Sequence, residues 1–280
     1  MDSLVSTDWL ATHLGAADLS VIDASWFLPA LGRDARAEYE AAHIPGAVFF
    51  DLDDVSDPED PLPHMMPDAA RFASRMRAIG LGDHERLVVY DNSPHHSAAR
   101  AWWMLRAFGA HDVAILDGGF QKWRAEGRPV ESGVPAARPG HFTPQLDADR
   151  IVDKAALLAL VGAGSHEIVD ARGASRFAGA EPEPRKGLAA GHIPGARNLP
   201  QDRLFNADNS FRRGDDLRAA FADAGIDLER PMITTCGSGV TAAVVLFAAH
   251  LLGKDDVRLY DGSWSEWGAD PATPKATGEA

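Results

Sequence analysis

The stretch "AAHIPGAVFFD", Ala41 to Asp51, returns as "AAGHIPGARNLP" from Ala189 to Pro200, with His43 and His192 149 residues apart (192 − 43). Working outward from this pair, the flanking segments repeat in the same order. "LSVIDAS" before the first copy matches "HEIVDAR" before the second, and "LDGGFQKW" from Leu116 matches "YDGSWSEW" from Tyr260, with Asp117 and Asp261 144 residues apart (261 − 117). Similar offsets kept in order indicate a duplicated domain. Two domains follow, 1–135 and 150–270. They are joined through "ESGVPAARPGHFTPQLDADR", Glu131 to Arg150, which carries three prolines and little periodicity.

Each half alternates strand and helix. "LSVID", "RLVVYD" and "DVAILDGG", with their partners "HEIVDA", "PMITTC" and "DVRLYDGS", are short, apolar and bounded by Asp, Gly or Pro, as buried parallel strands are. "DAARFASRMRAIG" and "DDLRAAFADAG" have apolar residues at three-to-four spacing and end at glycine. "SAARAWWMLRAFG" and "GVTAAVVLFAAHLLG" do the same. The fold class is α/β: two tandem domains, each a mostly parallel sheet flanked by helices. In such sheets ligands bind beyond the carboxyl ends of the strands.

Composition narrows the function classes. With 27 Lys+Arg against 41 Asp+Glu, the formal charge of -14 disfavours phosphate backbones and anionic membranes, so no nucleic-acid and no membrane partner is expected. No apolar run approaches the ~20 residues of a membrane-spanning helix, and "MDSLVSTDWLATHL" lacks a basic n-region followed by an apolar core. The expected location is cytoplasmic. The single cysteine, Cys236, excludes an internal disulfide and a thiolate-rich zinc site.

Cys236 ends a predicted strand and opens the turn "CGSGVTA". The glycines let N–H groups curl inward, and a following helix start adds partial positive charge, so the turn suits a thiolate. A cysteine-dependent phosphatase needs an arginine closing such a loop, and Gly237, Ser238, Gly239, Val240, Thr241, Ala242 and Ala243 supply none. A sulfurtransferase needs only the thiolate and a ring of N–H groups to hold a persulfide anion.

The paired "HIPGA" segments, the "DGS/DGG…W" segments and "CGSGVTA" resemble the two-domain rhodanese superfamily, and the loop is similar to that of its 3-mercaptopyruvate sulfurtransferases. The resemblance implies that sulfur passes from 3-mercaptopyruvate through a persulfide on Cys236 to a thiol acceptor such as thioredoxin, or to cyanide, releasing pyruvate. No metal and no organic cofactor is implied. It implies that Arg176 and Arg185 bind the keto acid, beside Gly237, Gly239, Val240 and Thr241. Ser238, His64 and Asp53 form the implied proton relay. Thiosulfate-using relatives carry basic residues directly after the cysteine, where this chain has Gly237 and Ser238, so thiosulfate is the alternative donor. In the first half Asp91 stands in the cysteine's place within "YDNSPHHSAAR", which implies a catalytically silent domain; a binding module without catalysis is the remaining alternative. His43 and His192 are expected to hold turns, and Trp264 and Trp267 either to line the entrance near Cys236 or to pack. His95 and His96 give only a weak metal signal, and the composition of "GADPATPKATGEA" suggests an unordered tail.

Overall fold

The computed structural model describes residues 1–135 and 140–278, and the chain divides into two compact units. Unit 1 holds Met1–Pro58, Met66–Asp147 and Asn206–Phe211; unit 2 holds Glu59–Met65, Ala148–Phe205 and the chain from Arg212 onward. The sheet of unit 1 contains β1 (Leu4–Val5), β2 (Leu19–Asp23), β3 (Val48–Phe49), β4 (Arg86–Tyr90) and β5 (Val113–Leu116) in the order β1-β5-β4-β2-β3. That of unit 2 contains β6 (Ile151–Val152), β7 (Glu167–Asp170), β8 (Arg197–Asn198), β9 (Met232–Thr235) and β10 (Val257–Tyr260) in the order β6-β10-β9-β7-β8. The paired strands run parallel, with Ile22 opposite Val89 and Val169 opposite Thr234. Both sheets thus have the expected α/β form. The two-residue edge strands escaped the sequence pattern because two residues carry no periodicity.

The middle strands are buried along their whole length in β9 and nearly so in β4, so their apolar runs need cover on both faces. The helix Ala242–Leu251 supplies it in unit 2, and Ala242 through Ala249 are all buried, as a helix apolar on every side must be. Ala98–Ala107 is its equivalent in unit 1, with Trp102 donating from Nε1 to the Val113 carbonyl at 2.9 Å. The helix Ala69–Ala78 is amphipathic instead. Asp68 caps it by accepting from the Arg71 N–H at 2.7 Å, and Phe72, Ala73 and Met76 face inward.

The conserved shape of the two "HIPG" turns has one cause. His43 and His192 each bond through Nδ1 to a carbonyl at 2.8 Å, of Tyr39 and Phe177 respectively, and each imidazole stacks on that same aromatic ring. Both are buried turn-holding residues.

Three expectations need correction. The connection from Glu131 is not loose: Glu131 pairs with His43, and Phe142 is buried against Phe72. Thr143 bonds Asp83, and the Gln145 and Asp147 N–H groups reach the Phe108 and Ala107 carbonyls. Unit 1 therefore runs on to Asp147, past 135, although Ala136–Pro139 of the connection lie outside the described residues. The C-terminal tail is also ordered through Gly278. Trp267 Nε1 donates to Pro274, Ala276 bridges to His192, and the Gly278 N–H bonds Ala178. Third, segments cross from one half of the sequence to the other unit: Glu59–Met65 packs in unit 2. In unit 1 the Phe211 N–H donates to Asp117 at 2.8 Å, and Lys122 pairs with Asp208 at 2.6 Å.

Removing residues 274–280 deletes these three tail contacts and leaves the buried Trp267 indole N–H unmet, which costs about 2–4 kcal/mol. Denaturant unfolding followed by tryptophan fluorescence should show unit 2 melting at lower denaturant; an unchanged midpoint would contradict the assigned tail packing.

Candidate active site

Cys236 follows β9 at the carboxyl edge of the unit 2 sheet and is buried. The helix expected from Gly239 begins at Ala242 instead, because Gly239 turns at φ +79°, a conformation that favours glycine. Residues 237–241 thus remain a loop. Its orientation is fixed from the far side by the "YDGSWSEW" segment. The Trp264 N–H donates to the Cys236 carbonyl at 3.0 Å, and the Ser265 N–H and hydroxyl donate to the Gly237 carbonyl at 2.9 and 2.7 Å. The Cys236 N–H donates to Ser263 Oγ at 3.2 Å. A trans peptide aims its N–H opposite to its C=O, so the Gly237 and Ser238 N–H groups point away from this grip. Among the described residues, none of the N–H groups of Gly237 through Thr241 donates to a protein acceptor.

Two arginines approach this loop. A Cβ built on Gly237 would lie 3.2 Å from Arg176 Nη2 and 3.9 Å from Arg185 Nη1, so any side chain there would push against both guanidinium groups. Arg176 sits on the four-residue helix Ala174–Phe177, and its Nη2 donates to Glu183 at 2.5 Å. Its Nε is buried with no partner among the described residues. Behind it, Arg172 is buried, held by Asp170, Glu183 and the Gly191 carbonyl, with its guanidinium 4.4 Å above the Trp264 ring. Burial would disfavour its charge, but Asp170 and Glu183 outweigh that and raise its pKa.

The expected relay residues are divided between the two units. His64 belongs to unit 2, and its Nδ1 lies 3.0 Å from Ser238 Oγ and 3.3 Å from the Ser238 carbonyl. It holds this position at φ 62°, which is strained for a residue with a side chain. Asp53 belongs to unit 1, where the Trp26 indole N–H donates to it at 3.3 Å. Trp264 and Trp267 are packed core residues, their indole N–H groups spent on the Ala189 and Pro274 carbonyls. Val240 is buried, and Thr241 forms the N-cap of the helix that follows. Sequence reasoning missed Asp170, Arg172, Glu183, Ser263 and Ser265. The repeated "DGS" motif was the available signal for the serines.

In unit 1 the corresponding loop fills itself. Asp91 accepts from the Ser93 and Ala98 N–H groups at 2.8 and 2.7 Å, while the Phe120 N–H grips its carbonyl at 2.9 Å just as Trp264 grips Cys236. Burial pushes the Asp91 pKa up to about 7 although both N–H bonds pull it down. His96, in the same loop, is driven down to about 4 by burial and by neighbouring His95. Among the described residues no group of three or more His, Cys, Asp or Glu side chains could hold a metal, and no helix is long and apolar enough to cross a membrane.

A carboxyl whose pKa is higher in the folded than in the unfolded chain stabilises fully below the ordinary aspartate range and loses that contribution as pH rises towards 7. Unit 1 should therefore lose stability between pH 4 and pH 7, and Asp91→Asn should flatten the slope. Melting temperature against pH checks this; equal slopes in the two proteins would contradict the Asp91 assignment.

The model of the rhodanese-like domain matches residues 6–126 and 153–270. The chain is 44% identical over 271 residues to the 3-mercaptopyruvate sulfurtransferase of Mus musculus, covering 95% of this chain and 91% of that one. It is 42% identical to the 3-mercaptopyruvate sulfurtransferase of Escherichia coli, covering 96% of each. The thiosulfate sulfurtransferase of Cricetulus griseus is 40% identical, covering 99% and 96%. Among solved structures, SseA from Escherichia coli superposes with a TM-score of 0.87 at 40% identity, covering 95% of this chain and 100% of that one.

Proposed function

The chain belongs to the rhodanese-like domain family and acts as a sulfurtransferase on 3-mercaptopyruvate, and from that premise we propose how its residues divide the work. The Cys236 thiolate attacks the donor sulfur. An S–S bond forms as the C–S bond breaks, and the electron pair of that bond passes into the enolate of pyruvate. The proton of the donor thiol moves through Ser238 and His64 to the methylene carbon, so Cys236 keeps an anionic persulfide and pyruvate leaves. A thiol acceptor, thioredoxin or a small thiol, then attacks the outer sulfur and restores the thiolate.

The observation that carries this reading is the approach of Arg176 and Arg185 to within 3.2 and 3.9 Å of a Cβ position on Gly237, next to the nucleophile. Planar guanidinium forks suit the carboxylate and keto oxygen of the donor. The loop N–H groups, turned away from Trp264 and Ser265, are the donors available to the persulfide anion. His64 Nδ1, 3.0 Å from Ser238 Oγ, is within hydrogen-bond reach for passing a proton to or from that hydroxyl. This scheme gives Asp53, which accepts from the Trp26 indole N–H, no step of its own. Unit 1 is silent in this scheme because a carboxylate occupies the place of the thiolate.

Cys236→Ser should abolish turnover, because an alcohol forms no persulfide. Arg176→Ala and Arg185→Ala should each raise the mercaptopyruvate KM about 10-fold or more, the loss of one charge-assisted contact. Steady-state pyruvate release measures both. Sulfur transfer retained by the serine variant, or unchanged kinetics in both arginine variants, would refute the assignment.

A further inference from the structure

The Gly237 carbonyl accepts twice from one residue. Ser265 gives it a backbone N–H at 2.9 Å and a side-chain hydroxyl at 2.7 Å. Ser265 is the third residue of the helix Ser263–Trp267, a place where N–H groups find no partner inside the helix and can be given to the loop. That N–H alone would satisfy the carbonyl. The hydroxyl, on a residue only 5% exposed, is therefore a second donor beyond what satisfying the carbonyl requires.

The loop without a cysteine lacks this second donor. Gln121 stands at the equivalent place in "LDGGFQKW", and its side chain accepts from Asn209 at 2.5 Å. The Asn92 carbonyl, equivalent to that of Gly237, accepts instead from Arg33 at 3.4 Å. The backbone grip, by Phe120 in unit 1 and Trp264 in unit 2, is common to both loops. Of the two, only the loop that carries the nucleophile has the hydroxyl grip as well.

A carbonyl that accepts two hydrogen bonds is more strongly polarised than one that accepts a single bond, and hydrogen bonds in series strengthen one another. Amide resonance carries that polarisation to the N–H of the same peptide, which here belongs to Ser238. Among the described residues this N–H donates to no protein acceptor, and it points away from Ser265. Building on the proposed function, we infer that Ser265 is a positioning residue for sulfur transfer: its hydroxyl fixes and polarises the Gly237–Ser238 peptide, so that the Ser238 N–H meets the negative charge on the Cys236 sulfur, as thiolate before the transfer and as persulfide after it.

Ser265→Ala removes the hydroxyl and leaves the backbone bond, so no polar group loses its only partner and the fold should hold. The rate of pyruvate release in a single turnover should fall roughly 2- to 10-fold, the equivalent of one neutral hydrogen bond. The mercaptopyruvate concentration that half-saturates this rate, set by Arg176 and Arg185, should stay the same. In the same variant the pH at which Cys236 becomes half-reactive towards iodoacetamide should rise by about 0.3–1 unit. Arg176, Arg185 and Glu183 beside Gly237, His64 beside Ser238, and Glu266 on the helix of Ser265 are present in every variant, so the shift reports on the peptide. Ser265→Thr keeps a hydroxyl and should return both the rate and the alkylation profile towards those of the wild type. An alkylation profile unmoved in Ser265→Ala, whatever the melting temperature does, would mark the serine as structural and overturn the inference. An unmoved single-turnover rate, or a threonine variant that behaves as the alanine one, would overturn it too. Wild-type release of pyruvate from mercaptopyruvate tests the functional reading separately. Its absence overturns both, whereas normal release with no effect of Ser265→Ala overturns the role of Ser265 alone.

Discussion

The site depends on how one loop faces. The carbonyls of Cys236 and Gly237 are gripped by the N–H groups of Trp264 and Ser265, at 3.0 and 2.9 Å, and peptide planarity then turns the following N–H groups the other way. The catalytic proposal and the closeness of the arginines both follow from this orientation. It also explains why the "DGS" and "DGG" segments recur: Ser263 at φ 49° and Gly119 at φ 57° bend the chain after the last strand of each sheet so that the next N–H can reach the loop. At Gly119 the approach is so close that a Cβ would stand 2.6 Å from the Asp91 carbonyl.

The two units show the same loop in two chemical states. Phe120 grips Asp91 as Trp264 grips Cys236, yet in unit 1 the Asp91 side chain turns back onto the Ser93 and Ala98 N–H groups. A carboxylate has the reach and the second oxygen to satisfy its own loop. A cysteine has neither, so its loop donors stay available to whatever anion is built on sulfur. The two copies of this loop, "DNSPHHSA" and "CGSGVTA", thus differ in residue type and length, and the first is closed by its own carboxylate.

Much of this was legible before any coordinates. The paired "HIPG" and "DG…W" segments gave the duplication, and the short apolar runs gave the three long strands of each sheet. Cys236, Ser238, His64, Arg176 and Arg185 could be singled out because their residue types and spacing carry chemistry or resemblance. Other features had no local signal. Glu183 reads as one more acid in "EPEP", and only folding brings it between Arg172 and Arg176. The tail reads as polar and proline-rich, yet its order comes from backbone groups meeting His192 and Trp267, which composition does not record. The membership of His64 in unit 2 is likewise a property of chain path, invisible to periodicity.

The central claim is that sulfur rests on Cys236 while pyruvate departs. A single-turnover experiment without acceptor tests it most directly, following pyruvate by its absorbance-coupled assay and the Cys236 peptide by mass spectrometry. The account predicts one pyruvate released per chain together with one additional sulfur atom on that peptide. Pyruvate released without sulfur on Cys236, or sulfur found on any other residue, would contradict it.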